Sequence, residues 1–319
     1  MILKLKPALK DYLWGGTKLK TDFGFESDME KVAEGWMLSC HKDGENIIEN
    51  GEYAGKTLSE VISICSKDIL GENGKKFDSF PILIKLIDAK NDLSVQVHPD
   101  NDYALKVEGE YGKTECWYIL DCDDNAELIY GFKKKISSEE FKERIKNNTF
   151  LDVVNKVKVK KGDLFFIEAG TLHAIGGGIL LAEIQQNSNT TYRVYDYNRR
   201  DKDGNLRPLH TEKAVDVTCC EPPKYDIKPI GAKNENDGFT SQLLTECELF
   251  KVINLEITER AVLSADKDSF VSLLVTEGSG EINACNETYK MKKGDSFFIS
   301  ASSGKIEIKG KLTVIDTRV

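Results

Sequence analysis

Two of the four histidines of this chain stand in settings that suit metal binding. Strand alternation in the run 93–100 (LSVQVHPD) sends Ser94, Gln96 and His98 to one face and the apolar residues to the other. His173 follows a small-residue turn. Polar side chains that project together from a strand otherwise fit for burial are candidate ligands for a divalent cation. The four histidines are His41, His98, His173 and His210.

A carboxylate near these histidines completes a plausible donor set. Glu115 lies near the start of an apolar strand, 114–120 (TECWYIL). Two imidazoles and a carboxylate bind zinc at about 2.0 to 2.2 Å and leave a position open for water or substrate. The predicted ligands are His98, Glu115 and His173, with Gln96 as a fourth. Because an amide oxygen is a weak ligand for zinc, iron and manganese stay open as alternatives. The competing interpretation is that each histidine is a hydrogen-bonded structural residue.

The elements that must position these donors are mostly strands. Short β-branched and aromatic runs, punctuated by Gly, Asn and Asp, predict strands and hairpins over most of the chain. Helical patterns are few. One is predicted over 58–70 with Thr57 as its cap, and another over 139–146 with Ser137 or Ser138 as its cap.

One internal repeat indicates two similar units. The segments 159–170 and 291–302 both read as strand, Gly-Asp turn, strand and small-residue turn, which predicts tandem β-barrel or jelly-roll units. The second copy lacks the histidine that follows the first, so no metal is expected there. Pro, Gly and polar residues accumulate from 219 to 238. We therefore expect an N-terminal catalytic domain with the metal site, 1–220, and a degenerate domain without metal, 221–319.

The composition argues against several classes of function. The net charge of −9 disfavours a nucleic-acid-binding protein, because such proteins need an excess of Lys and Arg. No apolar run reaches the roughly 20 residues that span a bilayer, and the segment 1–7 becomes charged too early for a secretory signal. The eight cysteines show no C-x-x-C spacing and are expected to be reduced. We expect a cytoplasmic protein without nucleic-acid or membrane partners; the oligomeric state stays open.

Several motifs, in order along the first two-thirds of the chain, resemble the type I phosphomannose isomerases in their short bacterial form. Two departures stand out: Glu168 replaces a common Pro, and Gly35 replaces a commoner hydroxyl residue. Neither removes a predicted ligand. The motifs are 7–16 (PALKDYLWGG), 33–39 (AEGWMLS), 96–100 (QVHPD), 113–117 (KTECW), 170–174 (GTLHA) and 186–196 (QNSNTTYRVYD).

This resemblance implies a cupin fold and an aldose-ketose isomerase. The implied reaction interconverts mannose 6-phosphate and fructose 6-phosphate through an enediolate, with one Zn²⁺ per chain. The implied catalytic residue is Arg193. The implied zinc ligands are Gln96, His98, Glu115 and His173, and the suggested contacts of the sugar phosphate are Lys85, Ser94 and Arg199.

Isomerisation needs stabilisation of a developing oxyanion and a group that moves a proton between adjacent carbons. A metal acts as a Lewis acid, and Arg193 adds a fixed positive charge because its guanidinium keeps its proton. The competing interpretation of Arg193 is a salt bridge to Asp196 or Glu183. A hydroxide on the metal, Glu183 or Lys113 are all candidates for the base, and the sequence does not choose among them.

A local basic excess from 193 to 213 suits a phosphate monoester. The competing interpretation, preferred for Arg200, Lys202 and Arg207, is that these charges decorate a surface hairpin. His41 and His210 are expected to be structural.

Two other functions remain possible on the same motifs. A cupin oxygenase would use a redox metal in this cage, and iron with oxygen consumption would favour it. A non-catalytic sugar-binding cupin would have lost its chemistry, which the joint presence of Arg193 and the four ligands disfavours.

Overall fold

The computed structural model of the chain describes residues 1–200 and 203–319. Lys202, one of the charges assigned above to a hairpin, lies outside the described residues. Within those ranges the chain is mainly β with a few short helices, as predicted. None of the described helices has both the length and the apolar composition that a membrane crossing requires.

The described residues form twenty-one strands and six α-helices. The strands are β1 (Ile2–Lys6), β2 (Ala8–Lys10), β3 (Glu34–Leu38), β4 (Ile47–Ile48), β5 (Ile82–Ala89), β6 (Val95–Val97), β7 (Glu115–Cys122), β8 (Glu127–Phe132), β9 (Val154–Lys158), β10 (Leu164–Ile167), β11 (His173–Ala174), β12 (Ile179–Gln186), β13 (Tyr192–Tyr195), β14 (Lys233–Asn236), β15 (Phe239–Glu246), β16 (Lys251–Ile257), β17 (Arg260–Ala265), β18 (Val271–Ala284), β19 (Glu287–Lys292), β20 (Ser296–Ile299) and β21 (Gly304–Arg318). The helices are α1 (Lys18–Thr21), α2 (Leu58–Cys65), α3 (Gly71–Gly74), α4 (Asn101–Val107), α5 (Ser138–Lys146) and α6 (Thr211–Val217).

Helix α2 begins where the sequence predicts and ends earlier. The hydroxyl of Thr57 accepts the Glu60 N–H at 3.1 Å, and the Glu60 carboxylate accepts the Thr57 N–H at 2.7 Å, which forms a capping box. The predicted end at residue 70 is wrong, because Ser66 has a φ of +67° and leaves the helical conformation. A 3-10 turn at Lys67–Leu70 follows instead.

Two sheets enclose the predicted metal ligands. The first has six strands in the order β10-β7-β12-β5-β3-β2, and the second has five in the order β13-β6-β11-β8-β9. A buried apolar cluster with residues from both sheets fills the space between them, including Trp117, Tyr130 and Phe165. The rings of Tyr130 and Phe165 meet edge to face, with centroids 5.5 Å apart. Helix α5 packs on the back of the second sheet through the contact of Phe141 with Phe132.

The third sheet contains the C-terminal strands. Its order is β14-β15-β16-β21-β18-β20-β1-β4, with β17 paired to β21 and β19 paired to β18. A second buried cluster shared with the six-stranded sheet includes Ile84, Cys116, Leu274 and Phe298. The two halves of the chain therefore pack through a common apolar core.

Strand β1 joins the N-terminal residues to the C-terminal sheet. Ile2 lies opposite Ile299 in an antiparallel pair, and Leu5 lies opposite Ser296. The division of the chain after residue 220 stays a prediction, and this pairing shows that the first strand does not follow it.

The internal repeat is visible in the backbone of both turns. Gly162 and Gly294 have the same φ of +90°. The Asp163 carboxylate accepts the Lys160 N–H at 2.9 Å, and the Asp295 carboxylate accepts the N–H of Lys292 at 2.9 Å. The Gly-Asp turns predicted from the two sequence copies thus share one hydrogen-bonded geometry.

Candidate active site

Three short strands bring the predicted metal donors together. Gln96 in β6 lies between His173 of β11 and Arg193 of β13, opposite both in the sheet register. His98 follows β6 directly, and Glu115 is the first residue of β7. One possible ligand atom from each of His98, Glu115 and His173 lies within 4.8 Å of the other two, and all three side chains are buried. The structure therefore places these three residues as predicted.

The two imidazoles point lone pairs at each other. Nδ1 of His98 lies 2.9 Å from the Thr190 carbonyl, and Nδ1 of His173 lies 2.8 Å from the Thr171 carbonyl. Because a carbonyl oxygen only accepts, each Nδ1 carries the proton and each Nε2 is left as an acceptor. Burial lowers the pKa of His173 to about 3 and that of His98 well below its usual value, so both rings are neutral.

This arrangement fits a metal ion. The two Nε2 atoms are 3.1 Å apart. Ligand atoms each about 2.0 to 2.1 Å from one tetrahedral zinc ion would be about 3.3 Å apart. Without a cation the facing lone pairs of His98 and His173 repel, whereas a shared cation turns both into ligands.

Glu115 adds a buried carboxylate that is paired with Lys113. Its Oε1 lies 3.6 Å from Nε2 of His173 and its Oε2 lies 3.8 Å from Nε2 of His98. Both oxygens are buried; Oε2 pairs with Lys113 Nζ at 2.8 Å, whereas Oε1 has no hydrogen-bonding partner among the described residues. Burial raises the pKa of Glu115 to about 7. A divalent cation at the donor set would lower it again and keep the carboxylate ionised.

A cavity of about 280 Å³ adjoins these donors. It reaches them through Lys113, whose Nζ lies 3.3 Å from Nε2 of His98. A larger cavity of about 780 Å³ lies among C-terminal strands and contains none of the predicted site residues. The smaller cavity is the candidate active site because it adjoins the buried donors His98, Glu115 and His173. The predicted site residues that line the smaller cavity are Lys85, Ser94, Gln96, Lys113, Glu183 and Arg193.

Gln96 is the fourth predicted ligand, and its metal contact stays a prediction. Its side chain is half-buried and lines the cavity. The Ser94 hydroxyl lies 3.4 Å from its Oε1 and donates to it. Ser94 and Gln96 thus share the cavity face of β6, as strand alternation predicted.

Buried charges of alternating sign cross the floor of the cavity. Glu183 Oε1 lies 3.1 Å from Lys85 Nζ and 3.6 Å from Lys113 Nζ. Its Oε2 accepts the Trp117 indole N–H at 3.0 Å. Burial alone would raise the pKa of Glu183, but the two ammonium groups outweigh burial and lower it to about 2. Glu183 is therefore ionised and joins two cations.

Glu34 belongs to this buried set and was missed from the sequence. Its Oε2 accepts the Trp36 indole N–H at 2.7 Å and lies 3.8 Å from Lys85 Nζ. Burial would lower the pKa of Lys85, yet Glu183 and Glu34 raise it above its usual value. The sequence signal that could have identified Glu34 is a lone carboxylate in the otherwise uncharged strand β3, all of whose residues are buried. A buried carboxylate needs a charged or hydrogen-bonding partner.

Arg193 lines the cavity without an ion pair among the described residues. Its backbone N–H donates to His210 Nδ1 at 3.1 Å, and its Nη1 donates to the Pro208 carbonyl at 3.0 Å. Its Nε is buried and has no hydrogen-bonding partner. The alternative of a salt bridge to Asp196 or Glu183 is therefore wrong for the described residues, and the structural role of His210 stays a prediction.

The arginines that follow are arranged differently from the prediction. Arg199 pairs with Asp196 and does not line the cavity. Arg207 lines the cavity and also binds Asp196, with its Nε 2.7 Å from Oδ2. Arg200 is exposed and donates to the Gly204 carbonyl at 2.7 Å, as expected for a hairpin charge. The assignment of Arg207 to surface decoration is thus wrong, because the chain folds back from this hairpin to the cavity.

The β-barrel architecture and the buried donor set define a metal-binding cupin. The model of the phosphomannose isomerase type I catalytic domain matches residues 2–130, and that of the mannose-6-phosphate isomerase cupin domain matches residues 240–319. The chain belongs to the type I mannose-6-phosphate isomerase family and is an isomerase, as its sequence predicts.

Similarity to relatives extends over the whole chain. Mannose-6-phosphate isomerase ManA of Bacillus subtilis is 39% identical, over 97% of this chain and 96% of the relative. Mannose-6-phosphate isomerase of Streptococcus mutans is 37% identical, over 98% and 96% of the two chains. The crystal structure of mannose 6-phosphate isomerase from Bacillus subtilis superimposes with a TM-score of 0.92 at 39% identity, covering 100% of this chain and 99% of the other.

Proposed function

We propose that this chain interconverts mannose 6-phosphate and fructose 6-phosphate with one Zn²⁺ ion held by Gln96, His98, Glu115 and His173. The observation that carries the proposal is the pair of facing Nε2 lone pairs of His98 and His173 beside the buried Glu115 carboxylate, next to a charged cavity. When bound, the metal supplies a Lewis acid that polarises the sugar oxygens on C1 and C2.

Arg193 is proposed to stabilise the negative charge that develops on the enediolate. It lies opposite Gln96 in the sheet register and thus beside the proposed ligands. Its Nε has no hydrogen-bonding partner in the described parts of the chain, so an oxyanion would give this buried donor its hydrogen bond.

Lys113 is proposed to move the proton between C1 and C2, with Glu183 as the residue that positions it. Both line the cavity, and Lys113 Nζ is the closer of the two to the metal donors, at 2.8 Å from Glu115. Glu183 lies 3.6 Å from Nζ, and its low pKa makes it a weak base by itself. Lys113 is therefore the proposed proton carrier, and Glu183 holds it in place.

The phosphate is proposed to bind at the other end of strand β6. Ser94 precedes His98 by four residues, which corresponds to about 13 Å along a strand. Ser94 offers a hydroxyl to the cavity, and Lys85 offers an ammonium group that its two carboxylate neighbours keep charged. Arg199 is proposed to add positive charge at this end, because it shares the single carboxylate of Asp196 with Arg207.

A coupled assay with mannose 6-phosphate, before and after chelation, tests this function. We expect turnover that the chelator abolishes and that added Zn²⁺ restores, with one zinc per chain by elemental analysis. Iron together with oxygen consumption would instead support the cupin oxygenase. A folded, metal-loaded protein that binds the sugar phosphate without turnover would support the sugar-binding alternative.

The location and the division of the chain are also proposed. Residues 1–220 are proposed as the catalytic domain, 221–319 as the degenerate domain without metal, and the cytoplasm as the compartment. Reduced cysteines are compatible with this compartment. Cell fractionation tests the location, and metal analysis of His98→Ala tests whether residues 221–319 bind metal by themselves.

A further inference from the structure

The guanidinium of Arg207 is held in a fixed orientation at the cavity wall. Its Nε donates to Oδ2 of Asp196 at 2.7 Å, and its Nη2 pairs with Oδ1 of the same carboxylate. This two-point contact uses one edge of the planar group. Nη1 donates to no group among the described residues, so the opposite edge is available to a ligand.

The charges around Asp196 do not balance. Arg199 and Arg207 both bind this one carboxylate. Arg193 lies nearby: burial lowers the pKa of its guanidinium, and the positive charge of Arg207 lowers that pKa further. Three guanidinium groups and one carboxylate leave this cluster with a net charge of +2, and two of the three guanidinium groups, those of Arg193 and Arg207, line the cavity. A phosphate monoester carries about −1.5 to −2 at neutral pH and would balance that charge.

We propose that Arg207 binds the phosphate of the sugar substrate and that Asp196 is the positioning residue that orients its guanidinium. The proposal rests on the proposed isomerase function. It assigns this contact to Arg207 because Arg207 lines the cavity and Arg199 does not. Arg199 completes the ion-pair cluster from outside the cavity, where it also donates to the Asp92 carbonyl.

The test compares Arg207→Gln with Arg200→Gln. Arg200 comes from the same hairpin, is exposed and does not line the cavity. Arg207→Gln is expected to raise the KM for mannose 6-phosphate and the inhibition constant of inorganic phosphate by about ten- to a hundredfold, the effect of losing a charge-assisted hydrogen bond. Its kcat and its metal content should change less than about threefold. Arg200→Gln should match the wild type in all four measurements.

A second variant covers the case in which Arg207→Gln does not fold. Arg207→Lys keeps a positive charge and loses the two-point contact, so its KM should lie between those of the wild type and Arg207→Gln. If Arg207→Gln is insoluble, the comparison is with the wild type alone, and the KM of Arg207→Lys should be the higher of the two. An unchanged inhibition constant for phosphate in a folded Arg207 variant overturns the proposal, as does an equal effect in Arg200→Gln. If the wild type is active and the Arg207 variants behave in this unexpected way, only the role of Arg207 is refuted. If the metal-loaded wild type is inactive, the isomerase function itself is refuted.

Discussion

Nε2 of His98 lies 3.1 Å from Nε2 of His173, although neither nitrogen has a proton to donate to the other. The pairing of β11 with β6 causes this approach, since His173 lies opposite Gln96, two residues before His98. The fold thus holds the two Nε2 lone pairs close together even without a bound ion. Two backbone carbonyls fix the ring orientations, so the donor set is preorganised.

Metal removal is expected to lower the melting temperature of the wild type and to leave that of His98→Ala unchanged. An ion that binds only the folded state stabilises it by RT ln(1 + [L]/Kd), and this term disappears with the ligand. Thermal unfolding with and without a chelator measures the effect. Equal shifts in both proteins would mean that the metal binds elsewhere.

Glu115→Gln is expected to reduce metal affinity by about tenfold or more, because the variant loses the anionic donor. Equilibrium dialysis with Zn²⁺ measures the change. Glu168→Gln is the matched control, since Glu168 pairs with Lys224 near the surface at 3.0 Å. Similar zinc affinity in both variants would remove Glu115 from the ligand set.

Lys113→Met is expected to slow proton transfer by about a hundredfold or more, the usual effect of losing a general acid or base. Exchange of the C2 proton of mannose 6-phosphate with deuterated water, followed by NMR, reports this step directly. Arg200→Gln should exchange at the wild-type rate. Exchange within about tenfold of wild type in zinc-loaded Lys113→Met would exclude Lys113 as the proton carrier.

The stabilisation that Asp196 provides should disappear at low pH. Burial raises the pKa of this carboxyl, but Arg207 and Arg199 outweigh burial and hold the pKa below its usual value. The stabilisation is therefore complete above the unfolded value of about 3.9 and is lost as pH falls through the lower folded value. The difference in melting temperature between wild type and Asp196→Asn should be constant near neutrality and shrink below about pH 4. A difference that grows on acidification would contradict this sign.

The two Gly-Asp turns, at Gly162 and Gly294, share one backbone geometry but should differ in their response to a glycine-to-alanine substitution. A Cβ at Gly162 would have no neighbour within 4 Å, whereas one at Gly294 would lie 2.9 Å from the Phe25 ring and 3.0 Å from the Phe23 carbonyl. Gly162→Ala should cost about 1 to 2 kcal/mol for its left-handed backbone. Gly294→Ala should cost about 1 to 3 kcal/mol more because it also overpacks. Urea unfolding of the two variants measures the difference, and equal costs would refute the explanation.

Residues on regular alternating strands could be predicted from the sequence. Ser94 and Gln96 share a face because side chains alternate along any strand, and the Gly-Asp turns follow from local backbone preferences. Glu34 and Arg207 could not be placed in this way. Their positions depend on the pairing of β3 with β5 and on the path of the chain after Asp196, which local patterns do not determine.

The pairing of strand β1 with a strand distant in sequence delays the formation of some native contacts during synthesis. Its partner β4 follows about 40 residues later, but its other partner, β20, follows only after nearly 300 residues, so one edge of β1 waits for its native neighbour until β20 has been translated. Until then the apolar side chains of Ile2, Leu3 and Leu5, which are buried in the folded protein, lack the C-terminal residues with which they pack. The same strand leads through Pro7 into β2, at the edge of the sheet that bears Lys85 and Glu183. The late pairing of β1 with β20 thereby anchors the segment that leads into this six-stranded sheet.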